Sequence, residues 1–279
     1  MPNPSSSASA RSAADPVPGR GVALVTGAAR RLGRVIALSL ARHGWDVAVH
    51  CHRSLAEAEA VAAEIAALGR RSVVLQADLA DEAATLQLIE RCREALGTPT
   101  CLVNNASLFQ YDVAQSFGYA SLDTHMRTNV AAPLTLSRAL YRALESEAGS
   151  DGNEGVARRG VVINLLDQKL SNLNPDFLSY TLSKSALQTA TVLLAQAFAP
   201  RLRVVGLAPG ITLVSGAQSD AGFAAAHRMT PLGRSSTPED IAGAVCYLAE
   251  ADAITGTTLY VDGGQHLMPL DRDVMFLTE

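Results

Sequence analysis

The stretch VALVTGAARRLGRVIALSL, residues 22–40, decides the fold. Its first part, VALVTG (22–27), is a continuous apolar run with the length of a buried strand. TGAARRLG (26–33) follows as a glycine-bearing turn, and the pattern predicts a helix over about 32–43 that stops near Gly44. In such a turn Gly27 and Gly33 let the backbone bend sharply and bring the helix N-terminus close to a pyrophosphate. The three-glycine dinucleotide fingerprint would carry a further glycine where Arg31 stands. Taken by itself, the segment therefore also fits an ordinary strand-to-helix turn.

The rest of the chain repeats the alternation. Strands are predicted at DVAVHCH (46–52), SVVLQAD (72–78), CLVNNAS (101–107), VVINLLD (161–167), RVVGLAP (203–209) and TLYVDG (258–263). Helical patterns lie at about 54–68, 81–95, within 121–147, and at about 176–198 and 238–249. Strands alternating with helices imply an α/β fold, a single-domain Rossmann-type doubly wound, seven-stranded parallel sheet flanked by helices. The catalytic domain is expected over 21–279. Residues 1–20, rich in Ser, Ala and Pro, read as a disordered tail without a signal-peptide core. GSDGNEGVARRG (149–160) reads as a flexible surface loop.

Composition narrows the function classes. Hydrophobic residues make up 48% and charged residues 18%, enough for a sizeable core. A net charge of -4 gives no support to nucleic-acid binding or to a basic membrane face. No apolar run approaches the ~18 residues of a membrane span. Cys51, Cys92, Cys101 and Cys246 form no CxxC pair and have no metal-ligand spacing to a histidine. They read as free thiols in a reducing cytoplasm, with no metal.

The end of the second strand bears on the cofactor. Enzymes using NAD place an acid there to accept from the ribose 2′-hydroxyl. Here the residues are His52, Arg53 and Ser54, with no acid until Glu57. Guanidinium groups from Arg53 and Arg31, with the Ser54 hydroxyl, suit a 2′-phosphate. NADPH is thus expected over NADH, against the alternative that both arginines only solvate a surface edge.

Tyr180 and Lys184 are four positions apart, hence one turn apart on one helix face. A free phenol titrates near ~10. A neighbouring ammonium stabilises phenolate and lowers that value, so Lys184 is expected to depress the Tyr180 pKa and fit it for proton exchange. Asp167 ends the apolar run 161–167 thirteen residues upstream of Tyr180, a carboxyl group where a hydroxyl would be commoner. It would assist the proton transfer; the alternative is a loop or capping carboxylate.

TGAARRLG, VNNAS (103–107), Asn129, Tyr180 with Lys184, PG (209–210) and VDGG (261–264) together resemble the short-chain dehydrogenase/reductase family over about 21–266. Within it the chain is most similar to the pteridine reductases and dihydromonapterin reductases. Arg31 in place of a glycine, HRS after strand two, NNAS, Asp167 in the catalytic-serine position and DGGQHL carry that likeness. The resemblance implies a catalytic set of Asp167, Tyr180, Lys184 and Asn129, the last supporting Lys184 and a relay water. It implies cofactor contacts at Gly27, Arg30, Arg31, Leu32, His52, Arg53, Ser54, Asp78, Leu79, Asn105, Ala106, Ser107, Tyr180, Lys184, Pro209 and Gly210. Substrate would meet Ser107, Phe109, Asp167 and Tyr180, with Phe109 stacking a pterin.

The expected reaction is NADPH-dependent reduction of a C=N bond in a dihydropterin. A general carbonyl or 3-oxoacyl thioester reductase is the main rival, and a non-catalytic dinucleotide sensor a more distant one. Residues 211–234 fall at the family's variable lid, where Arg234 and His227 read as surface residues. The C-terminal segment is apolar enough to bury Met268, Leu270 and Phe276. In this family it often approaches a neighbouring subunit's active site, so a homotetramer is the expectation.

Overall fold

A computed structural model of the chain describes residues 19–150, 159–214 and 218–277. Residues 1–18 of the expected tail and most of the expected 149–160 loop lie outside the described residues. Seven strands form one sheet: β1 (Gly21–Val25), β2 (Trp45–Cys51), β3 (Ser72–Gln76), β4 (Cys101–Asn104), β5 (Gly160–Leu165), β6 (Leu202–Pro209) and β7 (Thr258–Val261). Their order is β3-β2-β1-β4-β5-β6-β7. Every neighbouring pair is parallel. The order reverses between β1 and β4, so a crevice opens above their C-terminal ends, where doubly wound sheets bind ligands.

Helices cover both faces. α1 (Arg31–Arg42), α2 (Leu55–Ala67), α3 (Glu82–Leu86), α4 (Leu88–Leu96), α5 (Tyr119–Met126), α6 (Ala132–Ser150), α7 (Leu178–Phe198), α8 (Asp220–Arg228) and α9 (Pro238–Glu250) alternate with the strands. On one face Ile36, Leu40, Val61 and Ile65 pack with Ile241 and Val245 against β1, β2 and β5. On the other, Leu88, Leu136, Leu140 and Leu144 pack against Leu24, Leu102 and Val162. Central strands buried on both sides explain their unbroken Val/Leu/Ile runs.

Three local features differ from the sequence reading. The helix expected over 81–95 breaks at Gln87 into α3 and α4. Within α3 the Thr85 hydroxyl donates back to Asp81 O at 2.8 Å, a bond of the kind that bends helices. The long helix expected within 121–147 is α5 and α6 joined by a π-helical turn, Arg127–Ala131, which holds Asn129. The 211–234 segment is not all loop, since it contains α8. There Ser219 accepts from Gly222 N at 3.0 Å as a side-chain N-cap, and His227 and Arg228 close the last turn.

Candidate active site

The first turn is built around close approach. Gly27 has φ +63°, a region that favours glycine, and a Cβ on Gly33 would sit 2.1 Å from Gly27 O. Arg31, standing where the fingerprint would have glycine, adopts φ +51° and carries a strained left-handed backbone. Thr26 fastens this turn to the end of β4, its hydroxyl accepting from both Asn105 N and Ala106 N at 3.0 Å. Asn105 Nδ2 donates back to Thr26 O at 2.8 Å. The N-cap Arg30 makes no side-chain capping bond, so the first α1 amides remain open to an anion. The absence of a Cβ at Gly27 and Gly33 and these open amides fit a dinucleotide pyrophosphate.

A cleft of about 530 Å³ runs from this turn across the ends of β4, β5 and β6. That is within the range for a small-molecule site. Gly27, Arg30, Arg31, Leu32, Asn105, Ala106, Ser107, Phe109, Asp167, Tyr180, Pro209 and Gly210 all line it. His52, Arg53, Ser54, Asp78 and Leu79 do not, and sit farther along the ends of β2 and β3. There Ser54 is the N-cap of α2 without a side-chain capping bond. The His52 imidazole lies 3.6 Å from the Asp78 carboxylate, Leu79 is buried, and Arg53 is exposed. Arg30 is engaged by Glu57, and Arg31 donates to Val214 O at 2.8 Å.

At the other end, Asp167 and Tyr180 are joined. The Tyr180 hydroxyl donates to Asp167 Oδ2 at 2.7 Å, while Asp167 Oδ1 accepts from Lys169 N at 2.8 Å. Asp167 therefore caps the turn Gln168–Ser171 with one oxygen and holds the phenol with the other. Burial is the main influence raising the Asp167 carboxyl, with the Asp273 charge adding to it. Burial and the Asp167 charge hold the Tyr180 phenol well above its ordinary value.

This corrects the expectation that Lys184 depresses Tyr180. The Lys184 ammonium donates to Leu165 O at 2.7 Å and lies 5.7 Å from the centroid of the Tyr180 ring. Burial brings Lys184 itself down to about 8, opposed by Asp167. Asn129, expected to support Lys184, is buried, and its side chain bonds other partners. Its Oδ1 accepts from Leu108 N at 2.7 Å, and its Nδ2 donates to Leu108 O at 3.0 Å and Ser183 Oγ at 2.9 Å. It clamps the loop that presents Ser107 and Phe109.

Phe109 lines the cleft, stacked on Phe177 at 4.2 Å and edge-on to Tyr180 at 4.7 Å. His227 and Arg234 stay out of the cleft, with Arg234 paired to Asp240. Within the single chain Met268 and Phe276 keep exposed surface, Leu270 is half-buried and Val274 is buried. Among the described residues no His, Cys, Asp or Glu cluster could hold a metal, and no helix is long and apolar enough to cross a membrane.

A family model described as "Enoyl-(Acyl carrier protein) reductase" matches residues 27–266. The crystal structure of a short chain dehydrogenase from Burkholderia cenocepacia in complex with NADP is 31% identical, with a TM-score of 0.79, covering 90% of this chain and 99% of that one. The chain belongs to the short-chain dehydrogenase/reductase family. Within it, FolM alternative dihydrofolate reductase 1 from Brucella canis, crystallised with NADP, is 40% identical with a TM-score of 0.80, over 89% of this chain and 95% of that one. The 3-oxoacyl-[acyl-carrier-protein] reductase FabG of Staphylococcus aureus is 32% identical over 250 residues, 88% of this chain and 98% of that protein.

One residue that sequence reasoning missed supports the first turn. His50, on β2 and 1% exposed, accepts at Nδ1 from Gly27 N at 3.1 Å, with Nε2 at 3.2 Å from Ala77 O. This fixes the neutral tautomer carrying its proton on Nε2. The only local signal was a histidine inside an otherwise apolar strand. Burial lowers its pKa from 6.5 to about 4. The unfolded chain thus binds the extra proton first as pH falls, so stability present above pH 6.5 is lost on the way down to about 4. Its share is on the order of 3 kcal/mol. Urea unfolding of wild type and His50→Asn across that window should show a shallower acid slope for the variant; equal slopes would refute the assignment.

Proposed function

We propose that this short-chain oxidoreductase uses NADPH to reduce a C=N bond of a dihydropterin to the tetrahydro form. The observation that carries the reading is the Tyr180–Asp167 hydrogen bond of 2.7 Å at the substrate end of the cleft. When bound, NADPH supplies the hydride. Gly27, Leu32 and the open α1 amides would hold its pyrophosphate, and Asn105, Ala106, Pro209 and Gly210 would flank its ribose and nicotinamide. Asp78 and Leu79 would border the adenine.

Arg53, Ser54, His52 and Arg31 would take the 2′-phosphate. The chain after β2 carries no acid until Glu57, which Arg30 engages, and the α2 N-terminus has no side-chain cap and adds its own positive end. Tyr180 would deliver a proton to the substrate nitrogen. Its phenol is held protonated by burial and by the Asp167 charge, which makes it a donor rather than a base at neutral pH. Asp167, raised by burial, would share or replace that proton. Lys184, near 8, is an ammonium at pH 7 and loses its charge as pH rises through that value. It would hold the ribose. Asn129 would fix the Ser107–Phe109 loop, and Phe109 would offer the flat face for a heterocycle.

The FolM likeness at 40% identity supports this reading, since that relative is named for dihydrofolate reduction. The FabG likeness at 32% supports a 3-oxoacyl thioester reductase as the second reading. Asp167 separates the two, because a carboxyl can donate a full proton to a basic ring nitrogen and a serine cannot. We also propose a homotetramer in a reducing cytoplasm. All four thiols are unpaired, and Leu182 and Leu193 leave an apolar stripe uncovered along α7.

An NADPH-oxidation assay over dihydropterins and 3-oxoacyl thioesters is expected to show dihydropterin turnover. Asp167→Asn and Asp167→Ser should each lower its kcat by about 10²-fold or more. Undiminished turnover in both variants would remove Asp167 from the reaction. The kcat/KM ratio of NADPH to NADH should exceed unity and fall about tenfold or more in Arg53→Glu; an NADH preference in wild type would overturn the phosphate assignment. Light scattering should give four copies, and a monomer would refute the assembly.

A further inference from the structure

Four charged side chains meet at the substrate end of the cleft: Lys169 and Asp273, which line it, with Asp176 and Arg272. Asp176 is 1% exposed. Its carboxylate accepts from Arg272 Nε at 2.8 Å, from a terminal Arg272 nitrogen at 2.9 Å and from Asp273 N at 2.8 Å. The Tyr111 hydroxyl lies 3.4 Å from its Oδ1. The buried Lys169 ammonium donates to Asp176 O at 2.7 Å and to Asp273 Oδ2 at 3.3 Å. Two acids and two bases therefore neutralise one another, and the bidentate fork fixes direction as well as charge. Burial opposes the Asp176 charge, yet Arg272 and the Asp273 amide hold its carboxyl below the usual range.

The cluster joins three segments that the site needs in register. Lys169 follows Asp167 and bonds it through its main-chain amide. Asp176 and Phe177 lead directly into α7, which carries Tyr180; Phe177 is held at φ +58°, a strained conformation for a side chain of its size. The third segment is C-terminal, and its Asp273, Val274 and Met275 line the cleft. Phe276 extends the ring cluster, edge-on to Tyr111 at 5.5 Å and stacked over Phe177 at 6.1 Å. The cofactor turn is fastened elsewhere, by Thr26, Asn105 and His50.

We infer that Asp176 and Arg272 are positioning residues whose bidentate pair latches the C-terminal segment in place as the substrate-side wall of this chain's own cleft, setting substrate affinity while leaving the dinucleotide end untouched. The inference rests on the oxidoreductase reading of the cleft and adds to it a specificity-determining wall supplied in cis. It departs from the expectation that the C-terminal segment serves a neighbouring subunit.

The test uses Arg272→Met, whose site is half exposed, with Arg272→Lys as the conservative variant and Asp176→Asn as a second break. Steady-state kinetics are run on whichever substrate wild type turns over, dihydropterin or 3-oxoacyl thioester. Arg272→Met and Asp176→Asn should raise substrate KM about tenfold or more, with kcat changed less than about threefold and NADPH Kd within about twofold. Arg272→Lys, keeping the charge but not the fork, should fall between. Unchanged KM, or NADPH affinity lost in step with KM, overturns the latch.

Turnover of the thioester alone refutes the pterin reading and leaves the latch to be judged on that substrate. Should neither substrate turn over, hydrogen exchange of the NADPH-bound protein decides. Amides of 168–178 and 272–277 should exchange faster in Arg272→Met, with 26–33 unchanged; no difference at 272–277 overturns the inference.

Discussion

Parallel register is the constraint on which the site depends. β1, β4 and β5 run the same way in adjacent positions, so their C-terminal ends share one edge. The turn after β1 supplies Gly27, the turn after β4 supplies Asn105 to Phe109, and the turn after β5 supplies Asp167. Shifting a strand by one residue would turn its side chains to the other face and part the bonded turns after β1 and β4. Thr26 shows the dependence directly, since one hydroxyl serves two amides of another turn. The crevice at the point of strand-order reversal is thus a product of topology, and the side chains lining it only decide what it holds.

Within that frame the proton chemistry turns on where one ammonium points. Lys184 is on the same helix face as Tyr180, yet its charge goes to a main-chain carbonyl of β5. The phenol is left facing a carboxylate, and both members of the pair are pushed towards their protonated forms. A carboxyl raised by burial can exchange a proton that a neutral hydroxyl in the same place holds far more tightly. That is why the residue after Leu166 bears so directly on the substrate reading.

Features with a local pattern were legible in the sequence. The central strands announced themselves as apolar runs because the sheet is buried on both faces there, and the Tyr180–Lys184 spacing announced a shared helix face. Helix α8 was not seen, because it is only nine residues long and only Ser219 marks its start. The break at Gln87 left no mark in the apolar pattern over 81–95. The titration direction of Tyr180 and the pairing of Asp176 with Arg272 were illegible for a different reason. They depend on contacts between residues far apart in the chain, for which one sequence holds no periodic trace. His50 lay in plain view inside a strand, but its partner Gly27 came into reach only once β1 and β2 were paired.

The left-handed backbone at Arg31 has a consequence for how this turn can change. Such a conformation costs a non-glycine residue about 1–2 kcal/mol, and glycine would relieve it at once. Local stability and the presence of a guanidinium at the cleft mouth therefore pull in opposite directions at a single position. A chain drifting towards greater robustness would be drawn to glycine there, giving up the group that reaches Val214. Keeping arginine means holding the turn away from its own conformational optimum, a standing trade between rigidity and recognition.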